Sequence, residues 1–241
     1  MDVALLTIGD ELLSGDTANS NATWLADRLT DRGATVARVL VIPDDRSLIA
    51  RKVAEYSDAF DAVIVTGGLG GTPDDRTMDA VADAFDRSLA VDERAREAVE
   101  QRVAALRESY QDIAIDIDAE ASVPEGSRAL LNEPGLAPGC LIENVYVLPG
   151  IPEEMKAMYE SVAEAFGGDV RSRTFYTETP EADLIPDLTT TEERFDVSVG
   201  CYPDRSAGHN RLKLVGDTDD ELDAAAEWLR ARVETIPEPD S

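Results

Sequence analysis

The stretch VIVTGGLGGTPDDRT, Val63–Thr77, begins as an apolar run and then places four glycines within five positions. A proline, two adjacent aspartates and a threonine follow. A turn that only reverses the chain needs one or two glycines. Four glycines let the backbone approach a ligand closely, and successive N–H groups in such a loop form a concave anion site. The stretch therefore predicts a phosphate-binding loop at the end of a buried strand.

On both sides of this loop, strands alternate with helices. Apolar, β-branched runs at Val3–Ile8, Thr35–Ile42 and Ala62–Thr66 predict strands, and helical periodicity fills the segments between them. Continuous apolar strands in such an alternation predict an α/β fold whose parallel sheet is covered on both faces. Ligands bind beyond the carboxyl ends of such strands, so residues 9–11 (GDE) and 67–75 are expected to face one crevice.

A double glycine at 167–168 marks the predicted domain boundary. The helix that begins at Pro152 is expected to end near it. Residues 1–168 are predicted to form the nucleotide domain and residues 169–236 a small α+β domain. Residues 237–241 are expected to form a frayed tail.

The chain carries a formal net charge of -28, spread along its length. Such a surface repels nucleic acid and anionic membranes, so neither is expected as a partner. Strong self-repulsion indicates a high-salt habitat, where charges are screened. The N-terminus MDVALLTIGDE has no basic region and only a short apolar stretch, which predicts a cytoplasmic protein without a signal peptide. An unusually acidic protein of an ordinary habitat is the alternative.

Several site types are excluded by composition and spacing. His209 is the only histidine, and the two cysteines, Cys140 and Cys201, are far apart. These counts argue against zinc sites and Ser-His-Asp triads. The glycine loop is neither a Walker A loop, since no Gly-Lys-Ser/Thr follows, nor a spaced GxGxxG fingerprint.

The aspartates beside the loop indicate a metal. Bare carboxylates repel phosphate unless a divalent cation bridges the two groups or one carboxylate orients a water. Asp74 and Asp75 are the first candidates, and Asp10 and Glu11 are the candidates from the neighbouring strand end. The alternative is that Asp74 and Asp75 only cap the helix that begins at Thr77.

Five motifs stand in the order seen in a known family: IGDELLSG (8–15), NATWLADRL (21–29), VTGGLGGTPDD (65–75), NEPGLAPG (132–139) and LPGIPEEMKAM (148–158). They resemble the N-terminal part of CinA, the competence/damage-inducible protein. The chain is similar to archaeal CinA-type proteins of the molybdopterin-binding superfamily, related to the MoaB, MogA, MoeA and gephyrin domains. The resemblance covers residues 1–166.

The resemblance implies a three-layer αβα sandwich with a mixed, mostly parallel sheet of the MogA/MoaB type. The segment after residue 168 resembles a small KH-like domain, with DVSVGCYP at 196–203 as its sheet-edge motif. RNA binding is not implied, because this segment is acidic and has no GXXG loop. Longer family members carry a domain that deamidates nicotinamide mononucleotide; it has no room here, so that activity is not expected.

The resemblance also assigns site residues. Gly71 stands where the family pattern has proline, and Lys156 has a solvated surface lysine as its alternative reading. Asn19 and Asn21 lie in a matching segment, with helix capping as an alternative role. The residues predicted to bind nucleotide or phosphate are Gly67, Gly68, Leu69, Gly70, Gly71, Thr72, Thr77, Gly150, Pro152 and Lys156. The predicted catalytic residues are Asp75, Asp74 and Asp10, and the predicted metal ligands are Asp10, Glu11, Asp74 and Asp75.

Three functions are consistent with these residues. The first is a nucleotide pyrophosphatase that uses divalent Mg, Mn or Co to act on ADP-ribose or a related dinucleotide. The second is a molybdopterin-binding protein of molybdenum cofactor biosynthesis, which adenylylates the pterin or only binds it. The third is a nucleotide sensor without turnover. Each takes a small nucleotide or pterin phosphate as its ligand, and a homo-oligomer, dimer or trimer, is expected.

The charge balance yields a salt prediction. An excess of acidic residues makes the folded chain repel itself, and salt screens that repulsion. Raising KCl from about 50 mM to about 2 M should therefore raise the melting temperature. At fixed free divalent metal, nucleotide affinity should rise as well, because backbone contacts in the loop are screened less than the whole-molecule repulsion. Thermal melts and calorimetric titrations measure both, and a melting temperature that does not rise would contradict the high-salt interpretation.

Overall fold

A computed structural model describes residues 1–72, 75–109, 115–168, 170–204 and 208–237 of the chain. The chain divides into two compact units. The first comprises Met1–Asp27 with Val36–Phe166, and the second comprises Arg28–Thr35 with Gly167–Ser241.

Helices and strands alternate along the first unit, and the second continues with both. In chain order, the elements are β1 (Asp2–Ile8), α1 (Asp10–Ser14), α2 (Ser20–Asp31), β2 (Thr35–Ile42), α3 (Arg46–Ala59), β3 (Ala62–Thr66), α4 (Thr77–Ala84), β4 (Leu89–Val91), α5 (Glu93–Ser109), α6 (Ile117–Glu120), β5 (Ser122–Pro124), β6 (Arg128–Leu130), β7 (Gly139–Ile142), β8 (Val145–Leu148), α7 (Pro152–Glu160), β9 (Arg171–Thr177), α8 (Glu181–Arg194), β10 (Ser198–Asp204), β11 (His209–Gly216) and α9 (Asp219–Arg230).

The central sheet has the strand order β2-β1-β3-β8-β7-β6. Strand β3 pairs in parallel with both β1 and β8, so the carboxyl ends of these three strands lie at one edge. Strand β7 is antiparallel to both of its neighbours, β8 and β6. The predicted α/β class with a mostly parallel centre is confirmed, and the antiparallel strands make the sheet mixed.

Both faces of the sheet are apolar because helices cover both. Every residue of β1 from Val3 to Ile8 is buried. Ala4, Leu6 and Ile8 belong to one core cluster with the apolar faces of α3, α4 and α5. Since side chains alternate along a strand, Val3 and Leu5 face the opposite side. This explains why the strand is a continuous apolar run rather than an alternating one.

Aromatic side chains fill part of that opposite side. The ring of Tyr146 on β8 lies 4.7 Å from that of Phe166. Phe166 stacks on Tyr159 of α7 at 5.6 Å, and Tyr159 meets the edge of Trp24 on α2 at 5.4 Å. Ring centroids at these separations contribute packing energy beyond the area they bury.

The second unit has its own sheet and core. Its strands are antiparallel in the order β10-β11-β9. Phe175, Leu212 and Leu214 on the sheet pack with Leu184 of α8 and Leu222 of α9. These strands and helices agree with the α+β composition predicted for residues 169–236.

Three local differences from the sequence prediction appear. Residues 9–11 are predicted as the polar end of the first strand, but Asp10–Ser14 form the short helix α1. The helix from Pro152 ends at Glu160 rather than near Gly167, and a 3₁₀ turn, Ala163–Ala165, follows it. The Ser161 hydroxyl donates to the Met158 carbonyl at 2.6 Å, a local bond that competes with helix continuation. Arg76, not Thr77, is the N-cap residue of α4.

In the ranges that the structure describes, no helix is long and apolar enough to cross a membrane.

Asn144, in the turn between β7 and β8, ties that turn to the end of α3. Its amide donates to the carbonyls of Ser57 at 3.0 Å and Phe60 at 2.9 Å, and its oxygen accepts from the Ser57 hydroxyl at 2.6 Å. We expect Asn144→Ala to lower the free energy of unfolding by about 1–3 kcal/mol, because these partners lose their hydrogen bonds. Urea unfolding measures the change. The exposed Glu160→Ala is the control and should stay within about 0.5 kcal/mol of the parent; an equal loss in both variants would refute the role of Asn144.

Candidate functional site

The glycine loop begins by extending the central sheet. The Gly67 N–H donates to the Leu148 carbonyl at 3.2 Å, as a further rung between β3 and β8. Gly67 has a φ of 98°, and a Cβ built on it would overlap the Ile8 carbonyl oxygen. Only glycine fits here, because any side chain would meet backbone at the end of β1.

Gly68 is constrained by a side chain, that of Thr77 at the start of α4. Its φ is 64°, and a Cβ built on it would overlap the Thr77 hydroxyl. Its carbonyl accepts from the Thr77 N–H at 3.1 Å, which fixes the start of α4 against the loop. Thr77 is fully buried, and its hydroxyl has no hydrogen-bond partner in the described part of the chain.

Asp75 closes the loop. Its Oδ2 accepts from the Thr72 N–H at 3.1 Å and from the Thr72 hydroxyl at 2.5 Å, and its own N–H donates to the Thr72 carbonyl at 3.0 Å. Within the described residues its Oδ1 has no such partner. One carboxylate oxygen therefore shapes the loop, and the other remains for a ligand.

The N–H groups of residues 68–71 have no carbonyl acceptor among the residues described. Gly67, by contrast, uses its N–H in the sheet. Four consecutive free donors in a loop that precedes a helix form a site with positive potential.

A cavity of about 220 Å³ lies at the carboxyl ends of β1 and β3, and we call it the strand-end cavity. It brings together parts of the chain that are far apart in sequence. Its lining comprises Thr7, Ile8, Gly9, Glu11, Leu12, Thr17, Ala18, Asn19, Ser20, Asn21, Asp44, Thr66, Gly67, Gly68, Asp75, Gly150 and Pro152.

Glu11, Asp44 and Asp75 supply the charge of this lining, and no lysine or arginine is among its described residues. The sequence analysis did not predict Asp44 as a site residue. Its Oδ2 accepts from the Asp10 N–H at 3.0 Å, so it positions the start of α1. The signal was present: Asp44 follows β2 as residues 9–11 follow β1, and the two strands are neighbours.

Two amides complete the wall. Asn19 donates to the Thr7 hydroxyl at 3.0 Å and accepts from the Ala22 N–H at 3.2 Å, so it also caps α2. Asn21 donates to the Gly150 carbonyl at 2.7 Å and thereby joins the start of α2 to the turn before α7.

The remaining sequence-predicted residues are placed as follows. Asp10 is exposed and lies outside the described lining of the cavity, whereas Leu69 is buried in the core. The Lys156 ammonium lies 5.7 Å from the centroid of the Trp24 ring, a cation–π contact away from the cavity. Asp74 lies outside the described residues.

A second cavity of about 320 Å³, the loop-side cavity, lies on the other side of the glycine loop. Gly68, Asp75 and Gly150 line both cavities. Glu120 and Glu154 carry the other charges of its lining. Burial raises the pKa of the Glu120 carboxyl, and the charges of Asp75 and Asp116 raise it further.

The cysteines take no part in either cavity. Cys140 lies in the core on β7, and burial raises the pKa of its thiol to about 12. A thiol that stays protonated at neutral pH is a poor nucleophile.

Comparison with known families identifies the first unit. A family model described as the probable molybdopterin binding domain matches residues 4–167. The chain belongs to this family. Residues 169–237 match a model described as the middle domain of FAD synthase. The KH-like resemblance of that segment stays a prediction.

The relatives include proteins that the chain spans almost completely and at least one that it spans only in part. A protein of Archaeoglobus fulgidus is 34% identical over 93% of this chain and 95% of its own. A CinA-like protein of Salinibacter ruber is 36% identical over 98% of this chain, which spans 58% of that protein. Among solved structures, the protein CinA of unknown function from Thermoplasma acidophilum aligns with a TM-score of 0.61 at 30% identity, over 68% of this chain and 97% of its own. The CinA-type resemblance is thus supported by named relatives.

The loop geometry yields a prediction with an internal control. Gly68 and Gly126 both have positive φ, but a Cβ on Gly126 would meet nothing within 4 Å. Gly126→Ala should therefore cost only about 1–2 kcal/mol of backbone strain. Gly68→Ala should cost about 1–3 kcal/mol more, because its methyl group displaces Thr77. Chemical denaturation measures both, and equal losses would contradict the packing of Thr77 against Gly68.

Proposed function

We propose that the chain is a divalent-metal-dependent nucleotide pyrophosphatase that hydrolyses ADP-ribose or a related dinucleotide. The observation that carries this proposal is the composition of the strand-end cavity. It places the Gly68 end of the glycine loop, in which the N–H groups of residues 68–71 have no carbonyl acceptor among the described residues, beside three carboxylates, Glu11, Asp44 and Asp75. Its described lining contains no cationic side chain.

This combination favours an anion accompanied by a cation. N–H groups in a low-dielectric loop bind phosphate oxygens, but nearby carboxylates repel them. A divalent ion between the two removes the repulsion. Mg²⁺ is typically held by one or two carboxylates together with substrate phosphates and water. A preformed cage is thus not required, and the described residues contain no cluster of three or more acidic, histidine or cysteine ligands.

Glu11 and Asp44 are the ligands we propose for Mg, Mn or Co, which leaves Oδ1 of Asp75 to orient a water. The roles of Asp10, Asp74 and Asp75 as metal ligands stay sequence predictions. A bound divalent ion supplies charge neutralisation as negative charge builds up on the phosphoryl oxygens.

The chain's own groups then carry out the proposed hydrolysis. The N–H groups of residues 68–71 hold the pyrophosphate in place. Asp75 orients a water through Oδ1 and accepts its proton. The water oxygen attacks one phosphorus, the bond to the bridging oxygen breaks, and two monophosphates leave. Such proton transfer contributes typically 10²–10⁴-fold to the rate.

The second domain adds a substrate to test. Because residues 169–237 match the middle domain of FAD synthase, FAD belongs beside ADP-ribose among the dinucleotides to be assayed. FAD also contains a pyrophosphate that joins an adenosine to a second half.

The second candidate is a role in molybdenum cofactor biosynthesis, either adenylyl transfer to molybdopterin or binding alone. The family match over residues 4–167 favours it. Release of monophosphates from ADP-ribose or FAD with metal supports the first proposal, and consumption of ATP only with molybdopterin supports the second. Binding of nucleotide without either reaction would point to a sensor.

Asp75→Asn tests the proposed chemistry. The amide cannot accept a proton, so kcat/KM for the dinucleotide should fall by about 100-fold or more. Phosphate release and the melting temperature are measured together, because Asp75 also shapes the loop. Thr72→Val is the matched control: it removes one loop hydrogen bond and keeps the carboxylate, and it should retain activity within about tenfold. Full activity in a folded Asp75→Asn variant would leave Asp75 a structural role only.

A further inference from the structure

The two cavities adjoin along the glycine loop. Gly68, Asp75 and Gly150 line both, so a group held by the loop N–H donors lies beside both openings. A dinucleotide has the same layout, with a central pyrophosphate and a substituent on each side. The arrangement accommodates one substituent in each cavity.

The two linings differ in chemistry. The strand-end cavity presents hydroxyl and amide groups from Thr7, Thr17, Asn19 and Asn21, which suit the hydroxyls of a sugar. The loop-side cavity is walled mainly by apolar groups, which suit the faces of an aromatic ring. Its apolar lining residues are Leu69, Leu136, Ala137, Pro149 and Ile151.

Two carboxyl groups interrupt this apolar wall. Glu154 is fixed, because its Oε2 accepts from the Asn132 amide at 2.7 Å. Glu120 is half-buried beside Gly71, and the raised pKa of its carboxyl reflects burial and the neighbouring charges of Asp75 and Asp116. A carboxylate only accepts hydrogen bonds, whereas a protonated carboxyl also donates one. Both forms pair with an exocyclic amine, and the protonated form also pairs with a ring nitrogen next to it.

We propose that the loop-side cavity is the adenine subsite of the dinucleotide and that Glu120 accepts a hydrogen bond from the adenine amine. This inference rests on the proposed pyrophosphatase function, since it assigns the base of that substrate. The sugar phosphate of the other half then lies in the strand-end cavity. With Glu120 as a carboxylate, adenine is favoured over hypoxanthine, because hypoxanthine presents a carbonyl oxygen where adenine presents the amine, and two acceptors repel each other.

Calorimetric titration at fixed MgCl₂ and KCl tests the subsite without turnover. The probes are ADP-ribose and its hypoxanthine and guanine analogues, each with a methylene group in place of the bridging oxygen so that it cannot be hydrolysed, and inorganic pyrophosphate. The parent chain should bind ADP-ribose about tenfold or more tightly than the hypoxanthine analogue. Glu120→Ala should reduce that ratio to within about twofold and leave the affinity for pyrophosphate unchanged. Glu153→Ala, which removes the same charge from an exposed neighbour of Glu154, should keep the parent ratio.

A second variant tests the cavity itself. Ala137→Phe fills the apolar wall and should weaken ADP-ribose binding by about tenfold or more, while pyrophosphate binding stays the same. Equal affinity of the parent for the adenine and hypoxanthine analogues, tighter binding of the guanine analogue, or unchanged ADP-ribose binding in Ala137→Phe would each overturn the adenine subsite. Adenine-selective binding without hydrolysis would support the subsite and refute only the proposed reaction.

Discussion

The carbonyl oxygen of Ile8 lies so close to Gly67 that no Cβ fits between the ends of β1 and β3. This backbone contact forces the chain to leave β3 with positive φ, and it leads the glycine loop across the end of the neighbouring strand. The loop's free N–H groups, the carboxylates after β1 and β2 and the start of α4 meet because of that path. A side chain at position 67 would separate them, since the obstructing atom is backbone in a buried strand and has little room to move.

The acidic lining of the strand-end cavity adds to the negative charge of the whole chain. A net charge of -28 disfavours an anionic ligand at long range, and three carboxylates disfavour it inside the strand-end cavity. Four N–H donors offset part of this repulsion, and fixed dipoles in a partly desolvated loop act more strongly than they would in water. In the proposed function, a divalent cation offsets the rest of the repulsion, which is the role that a lysine has in other phosphate sites.

The division of roles on Asp75 connects structure to chemistry. One carboxylate oxygen organises the loop through Thr72. The other is the oxygen that we propose orients the water. Substitutions here therefore act on both stability and activity, and the two effects separate only when a variant of Thr72 is measured beside one of Asp75. The glycine loop, which we propose holds the phosphates, also lines the loop-side cavity.

Much of the fold follows from local sequence. The continuous apolar runs of β1 and β3 predicted strands buried on both faces, and the four glycines after β3 predicted a loop that binds an anion. Both predictions rest on patterns that span only a few residues. Local sequence did not predict the short helix α1, the early end of α7 or the role of Asp44. Each of these depends on a hydrogen bond or a neighbour that only the folded chain provides. Asp44 joins the site because β2 lies beside β1. Glu120 and Glu154 share a cavity because α6 and α7 flank the same loop. The sequence by itself determined most of the strands and helices and the position of the glycine loop. The tertiary structure decided which carboxylates surround that loop, because contacts set by strand order and helix packing are long-range and leave no local pattern.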